Sequence, residues 1–186
     1  MIDDGLKFVV LGEGGSRKGE VLKKYFKIKF NEGEKPKIPI LFEKTVDYNG
    51  KAVQLKFLGT AGQALHYQNP VGALLIYDAS IFETFEILKS WIITLHKIAG
   101  KDMTILVAGN KFDLIDKNTI EEQKPSIESY CTKESIKHFF YISSKTGFDI
   151  DEVFDTLIVD TLNKVFSSTN GLVTRRRGRK LEISPQ

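Results

Sequence analysis

The chain has 186 residues, of which 41% are hydrophobic, so it can bury one sizeable core and is predicted to form a single domain. With one cysteine, Cys131, it can form no internal disulfide, which favours a reducing compartment. The first residues carry acidic side chains and resemble neither a signal peptide nor a membrane span, so a cytoplasmic protein is expected.

The net charge of +3 is small and is concentrated near the C-terminus. The basic run consists of Arg175, Arg176, Arg177, Arg179 and Lys180. Residues 1–166 are predicted to form the folded domain, and residues 167–186 a disordered basic tail. The tail favours either a weak contact with an acidic membrane or a solvated linker. Nucleic-acid binding is not expected, because no aromatic residues are interleaved with the charges.

Apolar runs and segments of helical periodicity alternate along the chain, starting with a strand at Leu6–Leu11 and a helix around residues 17–28. Asn49-Gly50 is a strong hairpin signal between strand-like runs at 38–48 and 51–58. Later strands are predicted at 73–77, 103–108 and 139–142, and later helices at 82–95, from Pro125 to Ile136, and at 153–166. This order predicts an α/β fold, with a mostly parallel six-stranded sheet, one antiparallel edge strand and helices on both faces.

In such a sheet, ligands bind at the carboxyl ends of the strands. The loop after the first strand is close to the phosphate-binding pattern G-x-x-x-x-G-K-[ST]. Its candidate phosphate-binding residues are Gly12, Gly14, Gly15, Ser16, Arg17 and Lys18. Arg17 replaces the second glycine of the pattern, and Gly19 replaces the hydroxyl residue that binds magnesium. Arg17 therefore either neutralises phosphate charge in place of the ion or fills the phosphate pocket. An ordinary glycine-rich turn before a basic helix is the alternative.

Two further motifs follow later strands and predict a guanine-binding pocket. Asp113 can accept hydrogen bonds from N1–H and the N2 amino group of guanine, an edge that adenine lacks. Asn110 and the Lys111 stem would support and cover the base. Ser144 would offer a backbone N–H to the guanine O6, and Lys145 would cover the opposite face of the base. Ser143 completes the second motif, Ser143-Ser144-Lys145.

From about residue 6 to residue 166 the chain resembles the Ras superfamily of small GTPases, and within it the Rab branch. Residues 36–38 are similar to the first switch, and residues 59–63 to the second. The resemblance implies a P-loop NTPase-type G domain, binding of GDP or GTP, protein effectors or regulators, and a role in vesicle trafficking or signalling. It also places Phe30 where the family stacks an aromatic ring on guanine, and Gly62 at the terminal phosphate.

The departures from the family concentrate at its magnesium site. Gly19 and Gly59 stand where the family has a hydroxyl ligand and a carboxylate, and the first-switch threonine falls at Lys37 or Pro36. Gln63 keeps the position that orients the attacking water. The resemblance therefore implies guanine-nucleotide binding with weak magnesium dependence and little or no GTP hydrolysis.

A second hypothesis is a nucleotide-free pseudoGTPase that acts as a scaffold or as half of a tandem GTPase. Arg17 and a second switch shorter than is usual in the family support it. Rab proteins end in prenylated cysteines, and the sequence here ends in Ser184-Pro185-Gln186. The three histidines have no partners at metal-ligand spacing, and no metal site is predicted among them.

Overall fold

The computed structural model describes residues 5–28, 40–59 and 69–169. Within these residues the strands are β1 (Leu6–Leu11), β2 (Ile40–Tyr48), β3 (Lys51–Gly59), β4 (Gly72–Asp78), β5 (Thr104–Asn110) and β6 (Phe139–Tyr141). The helices are α1 (Lys18–Tyr25), α2 (Glu83–Ala99), α3 (Lys117–Lys133) and α4 (Ile150–Thr169), with a short 3-10 helix at Phe112–Leu114.

The strands form one sheet in the order β2-β3-β1-β4-β5-β6. Every pairing is parallel except that of the edge strand β2 with β3, as the sequence predicts. Asn49 and Gly50 both have positive φ, 55° and 78°, which is the geometry that a tight two-residue hairpin requires. The predicted α/β architecture, including its antiparallel edge strand, is confirmed.

Apolar side chains pack on both faces of the sheet and form two separate cores. Along β1 the side chains alternate between them: Phe8 and Val10 join the core under α1 and α4, whereas Val9 and Leu11 join the core under α2 and α3. Central strands buried on both faces read as continuous apolar runs, which explains why β1 and β4 are visible in the sequence.

Aromatic rings fix α1 against α4 and the sheet. Tyr25, at the end of α1, stacks on Phe154 of α4 with ring centroids 4.2 Å apart. Phe57 of β3 contacts the edges of both rings and stacks on Phe8 of β1 at 4.9 Å. This packing holds the end of α1 against α4 and the sheet.

All four helices differ from their predicted bounds, by three or four residues at one end or both for α2 (Glu83–Ala99) and α4 (Ile150–Thr169). The third helix begins at Lys117 rather than at Pro125, because the Asp116 side chain caps it by accepting a hydrogen bond from the Thr119 N–H at 2.8 Å. Pro125 lies inside this helix, which ends at Lys133, before Ile136. The first helix ends at Tyr25 instead of residue 28.

Several expectations fall on parts of the chain outside the described residues. They concern Phe30, the first-switch segment 36–38, the start of the second strand at 38–39, Gly62, Gln63 and the tail beyond residue 169. Among the helices of the described part, none combines the length and the hydropathy needed to cross a bilayer.

The interior proline of α3 gives a stability prediction. Pro125 is exposed and lacks the N–H that would bond to the carbonyl of Glu121. Replacing it with alanine restores this bond, so Pro125→Ala is expected to raise the free energy of unfolding by about 1–3 kcal/mol. Urea denaturation measures the change, and the exposed neighbour Ser126→Ala serves as the control, expected to change stability by less than about 0.5 kcal/mol. An unchanged or lower stability of Pro125→Ala would contradict the interpretation.

Candidate functional site

The loop between β1 and α1 begins with a glycine that no other residue can replace without movement of the sheet. Gly12 has φ 155°, and a Cβ at this position would lie 2.1 Å from the carbonyl oxygen of Ile76 in the neighbouring strand β4. The loop backbone therefore passes directly over the end of the sheet, at the carboxyl ends of the parallel strands.

Hydrogen bonds to one carbonyl shape the rest of this loop. The carbonyl oxygen of Glu13 accepts from the Ser16 N–H at 3.2 Å, from Ser16 Oγ at 2.8 Å and from Lys18 Nζ at 2.8 Å. The Lys18 side chain is thus folded back over the loop, and its burial lowers the pKa of the ammonium group. α1 begins at Lys18, directly after this loop, and a helix start of this kind is where phosphate-binding sites place backbone N–H donors.

Arg17 occupies a backbone conformation that normally favours glycine. Its φ of 59° and ψ of 36° lie in the left-handed region at the N-cap of α1. The guanidinium group pairs with Glu20, one turn along α1, at 2.5 Å. Of the two roles that the sequence leaves open for Arg17, the structure shows neither directly: the side chain pairs with a carboxylate at the start of α1.

Asn110, at the end of β5, joins the three loops of the predicted site. Its side chain is fully buried and donates to the carbonyl oxygen of Ser16 at 2.9 Å and to Ser144 Oγ at 3.1 Å. Its Oδ1 accepts from the Ser144 N–H at 2.9 Å. The phosphate-loop candidate and both base-binding motifs are therefore held together by one amide. A guanine O6 would have to share or replace the bond that the Ser144 N–H makes here.

The carboxylate of Asp113 is held in place by the second base-binding motif. Ser143 Oγ donates to Asp113 Oδ1 at 2.6 Å, and Lys145 Nζ lies 3.7 Å from Asp113 Oδ2. The hydrogen bond from Ser143 lowers the pKa of Asp113 below its usual value. The group is therefore an ionised acceptor at neutral pH, which is the form that the N1–H and N2 donors of guanine require.

Asp78 is a site residue that the sequence reasoning missed. It lies at the end of β4, in register with Asn110, and its buried carboxylate pairs with Lys111. Burial raises the pKa of Asp78, but hydrogen bonds from Lys111 and Ser80 outweigh this effect and hold it below its usual value. One signal in the sequence could have found Asp78: it is an acidic residue at the end of an apolar strand, at the same edge of the sheet as the motifs.

These elements enclose a cleft of about 660 Å³, a volume typical of small-molecule sites. Its lining residues are Arg17, Glu20, Lys23, Lys24, Ile28, Lys111, Asp113, Leu114, Ser144 and Lys145. The two base-binding motifs, Arg17 and one side of α1 thus line one space, whereas the other phosphate-loop candidates (Gly12, Gly14, Gly15, Ser16 and Lys18) are not among its lining residues. The ring of Phe112 stacks on the ring of Phe148, with centroids 4.9 Å apart, and this contact packs the two base-binding loops against each other.

Comparison with known proteins agrees with this geometry. Residues 7–163 match the sequence model of the Ras family. The chain belongs to the Ras family. Known relatives include the GTP-binding protein YPT53 of Saccharomyces cerevisiae, 29% identical over 82% of this chain and 74% of the relative. Others are mouse Rab-12, 30% identical over 88% and 70% of the two chains, and mouse Rab-21, 30% identical over 97% and 87%. Ras-family GTPases bind GDP or GTP.

Magnesium accompanies nucleotides in Ras-family proteins, and two positions expected to contribute to its site are the glycines Gly19 and Gly59 here. A Cβ at Gly59 would lie 2.5 Å from Leu22 Cδ1, and one at Gly19 would lie 3.1 Å from Ile40 Cδ1. Leu22 and Ile40 thus lie in the space that side chains at these two positions would enter. Across residues 5–28, 40–59 and 69–169, no group of three metal-binding side chains is found. The loss of ligands is therefore accompanied by apolar packing around the same two positions.

The buried amide of Asn110 gives a second stability prediction. Asn110→Ala leaves the Ser16 carbonyl and the Ser144 N–H without their present partner, so the free energy of unfolding should fall by about 2–3 kcal/mol. Urea denaturation measures this loss. The control is the exposed Asn118→Ala, whose effect should stay below about 0.5 kcal/mol. Equal losses in the two variants would show that the amide does not hold the loops together.

Proposed function

We propose that this Ras-family protein binds GDP or GTP through a complete guanine site, depends little on magnesium, and hydrolyses GTP slowly or not at all. The observation that carries the proposal is the Asn110 amide, which joins the loop after β1 to both base-binding motifs. A buried network of this kind is costly unless every member is satisfied, and here its three bonds are all formed. It places Asp113 and Lys111 on one side of a cleft and the start of α1 on the other.

Recognition of guanine in this proposal depends on the charge of one carboxylate. The ionised Asp113 can accept from both N1–H and the N2 amino group, and adenine has no matching pair of donors. A wrong base would leave the carboxylate desolvated and unpaired, which costs a few kcal/mol. The stems of Lys111 and Lys145 line the same cleft, and they are suited to cover the two faces of the ring.

Weak hydrolysis follows from the same packing that excludes the ion. Phosphoryl transfer depends mainly on electrostatic stabilisation of charge that develops on the phosphate oxygens, and magnesium supplies much of it. The apolar neighbours Leu22, beside Gly59, and Ile40, beside Gly19, support the proposal that this contribution is absent. Gln63 alone would orient a water without lowering the barrier by much. The family and its Rab-like relatives support a role in vesicle trafficking or signalling through protein effectors.

A nucleotide-free scaffold is the second candidate function. The specific observation in its favour is the ion pair between Arg17 and Glu20, which lies in the cleft beside the base-binding residues. If this pair kept phosphates out, the protein would act through protein–protein contacts alone. A single measurement distinguishes the two candidate functions: whether a guanine nucleotide binds saturably to the protein.

The test of base recognition exchanges an acceptor for a donor. Asp113→Asn should weaken GDP binding on the order of a hundredfold, about 2–3 kcal/mol, and should improve binding of xanthosine diphosphate, whose 2-oxo group accepts where guanine donates. Titration of fluorescent GDP, with unlabelled nucleotides as competitors, measures both affinities.

Asp116→Asn is a matched control for this change. Asp116 caps α3, and asparagine caps helices equally well, so GDP affinity should remain within about twofold of the original. Absence of any saturable GDP binding by the unaltered chain would favour the scaffold instead.

The magnesium prediction compares GDP binding in EDTA and in millimolar magnesium. The unaltered chain should bind GDP with affinities that differ by less than about threefold, because no divalent ion needs to enter the complex. Binding that is lost entirely in EDTA would refute weak magnesium dependence.

A designed variant tests whether apolar packing is the cause. Gly19→Ser and Gly59→Asp restore the missing oxygens, and Leu22→Ala makes the room that an aspartate at 59 needs. The triple variant should gain magnesium-dependent affinity of roughly tenfold or more, about 1.4 kcal/mol. Leu22→Ala alone is the control for the cavity, and it should lower stability without creating magnesium dependence.

A further inference from the structure

We propose that the Arg17–Glu20 ion pair is an internal competitor of the nucleotide phosphates: Arg17 is a phosphate-binding residue, and Glu20 is the carboxylate that a phosphate must displace to reach it. This inference rests on the proposed function, since it concerns how the same cleft recognises its nucleotide. It assigns Arg17 and Glu20 opposite effects on affinity, and it makes the effect of Glu20 depend on the presence of Arg17.

The pair lies where the two parts of a nucleotide site meet. Arg17 directly precedes Lys18, the lysine of the phosphate-loop candidate, and it lines the same cleft as Asp113 and Ser144. Glu20 lies one turn further along α1, on the helix face that also carries Lys24. A ligand that contacts both the base-binding residues and the start of α1 therefore passes directly beside the guanidinium group.

Two other cations near the phosphate-loop candidate, Lys18 and Lys111, are more firmly engaged. Lys111 pairs with the buried carboxylate of Asp78, and Lys18 donates to the Glu13 carbonyl at 2.8 Å. The Arg17–Glu20 pair is open to solvent, with side chains 57% and 31% exposed. Exposed pairs contribute little to stability, so Arg17 can exchange its partner at small cost.

Arginine is chemically suited to replace the missing ion. Its planar guanidinium donates two parallel hydrogen bonds to a phosphate and keeps its charge at any physiological pH. With apolar side chains beside Gly19 and Gly59, phosphate charge must be neutralised by protein groups. The strained backbone at Arg17 adds support, because non-glycine residues held in the left-handed region are concentrated at functional sites.

Changes in the ion pair should therefore alter the affinity for the phosphates of the nucleotide but not the affinity for its base. In EDTA, Arg17→Gln should weaken GDP binding by about tenfold while guanosine binding changes by less than about twofold. Glu20→Gln should strengthen GDP binding by about threefold to tenfold, because the guanidinium no longer has a competing carboxylate. In the Arg17→Gln background, the gain from Glu20→Gln should fall below about twofold. Glutamine is used at position 17 because glycine would also relieve the backbone strain.

The experiment is a set of calorimetric and competition titrations of the full chain with guanosine, GMP and GDP. α2 provides a matched control, since Lys89 and Glu86 form another ion pair between residues three apart, at 2.6 Å, with side chains 28% and 55% exposed. Glu86→Gln should leave every affinity unchanged. Thermal unfolding of each variant shows whether it is folded before it is titrated.

The outcomes separate this inference from the proposed function. If the unaltered chain binds GDP but Arg17→Gln leaves the ratio of GDP to guanosine affinity unchanged, the role of Arg17 is wrong and the nucleotide-binding proposal stands. A loss of GDP affinity in Glu20→Gln would equally overturn the competitor role. If neither the unaltered chain nor any variant binds a guanine compound, both proposals are wrong.

Discussion

The buried amide of Asn110 is the constraint on which the candidate site depends. It lies at the end of a central strand, and its three hydrogen bonds join the Ser16 carbonyl to the backbone and side chain of Ser144. Without such a link, three loops that are far apart in sequence would have to keep their relative positions by packing alone. Because the amide is inaccessible to water, its bonds cannot be exchanged for solvent without a cost in free energy. The geometry of the guanine site is therefore maintained by the fold itself.

The two ends of the candidate site differ in how their residues are packed. At the base end, every polar group of the motifs has a partner that sets its position: Asp113 accepts from Ser143, and Lys111 pairs with Asp78. At the metal end, a glycine in β3 and another in α1 leave room that Leu22 and Ile40 occupy. Restoring oxygen ligands there means removing apolar packing as well, so the change involves more than single ligands. The proposed function, guanine recognition with little hydrolysis, rests on this combination.

Much of the fold could be predicted because the relevant signals are local. Continuous apolar runs mark the buried strands, and Asn49-Gly50 fixes the hairpin through the positive φ of both residues. The third helix was placed wrongly for a local reason too: Pro125 suggested a start, whereas the capping carboxylate of Asp116 begins the helix earlier. Proline is strongly disfavoured inside helices but is tolerated where the surrounding helix packs well, and such packing is not visible in the sequence.

The sequence by itself determined the types and order of the groups at the carboxyl ends of the strands, because motif spacing and strand order are properties of the chain. It therefore predicted Asp113 and Lys18 as nucleotide-binding residues, and Gly19 and Gly59 as positions that lack oxygen ligands. Only the tertiary structure decided which side chains contact each other. It joined Asp78 to a lysine that follows the next strand, placed Leu22 against Gly59, and turned Arg17 towards Glu20. Such contacts depend on how strands and helices pack in three dimensions, and a residue's chemical type does not specify its neighbour across the sheet.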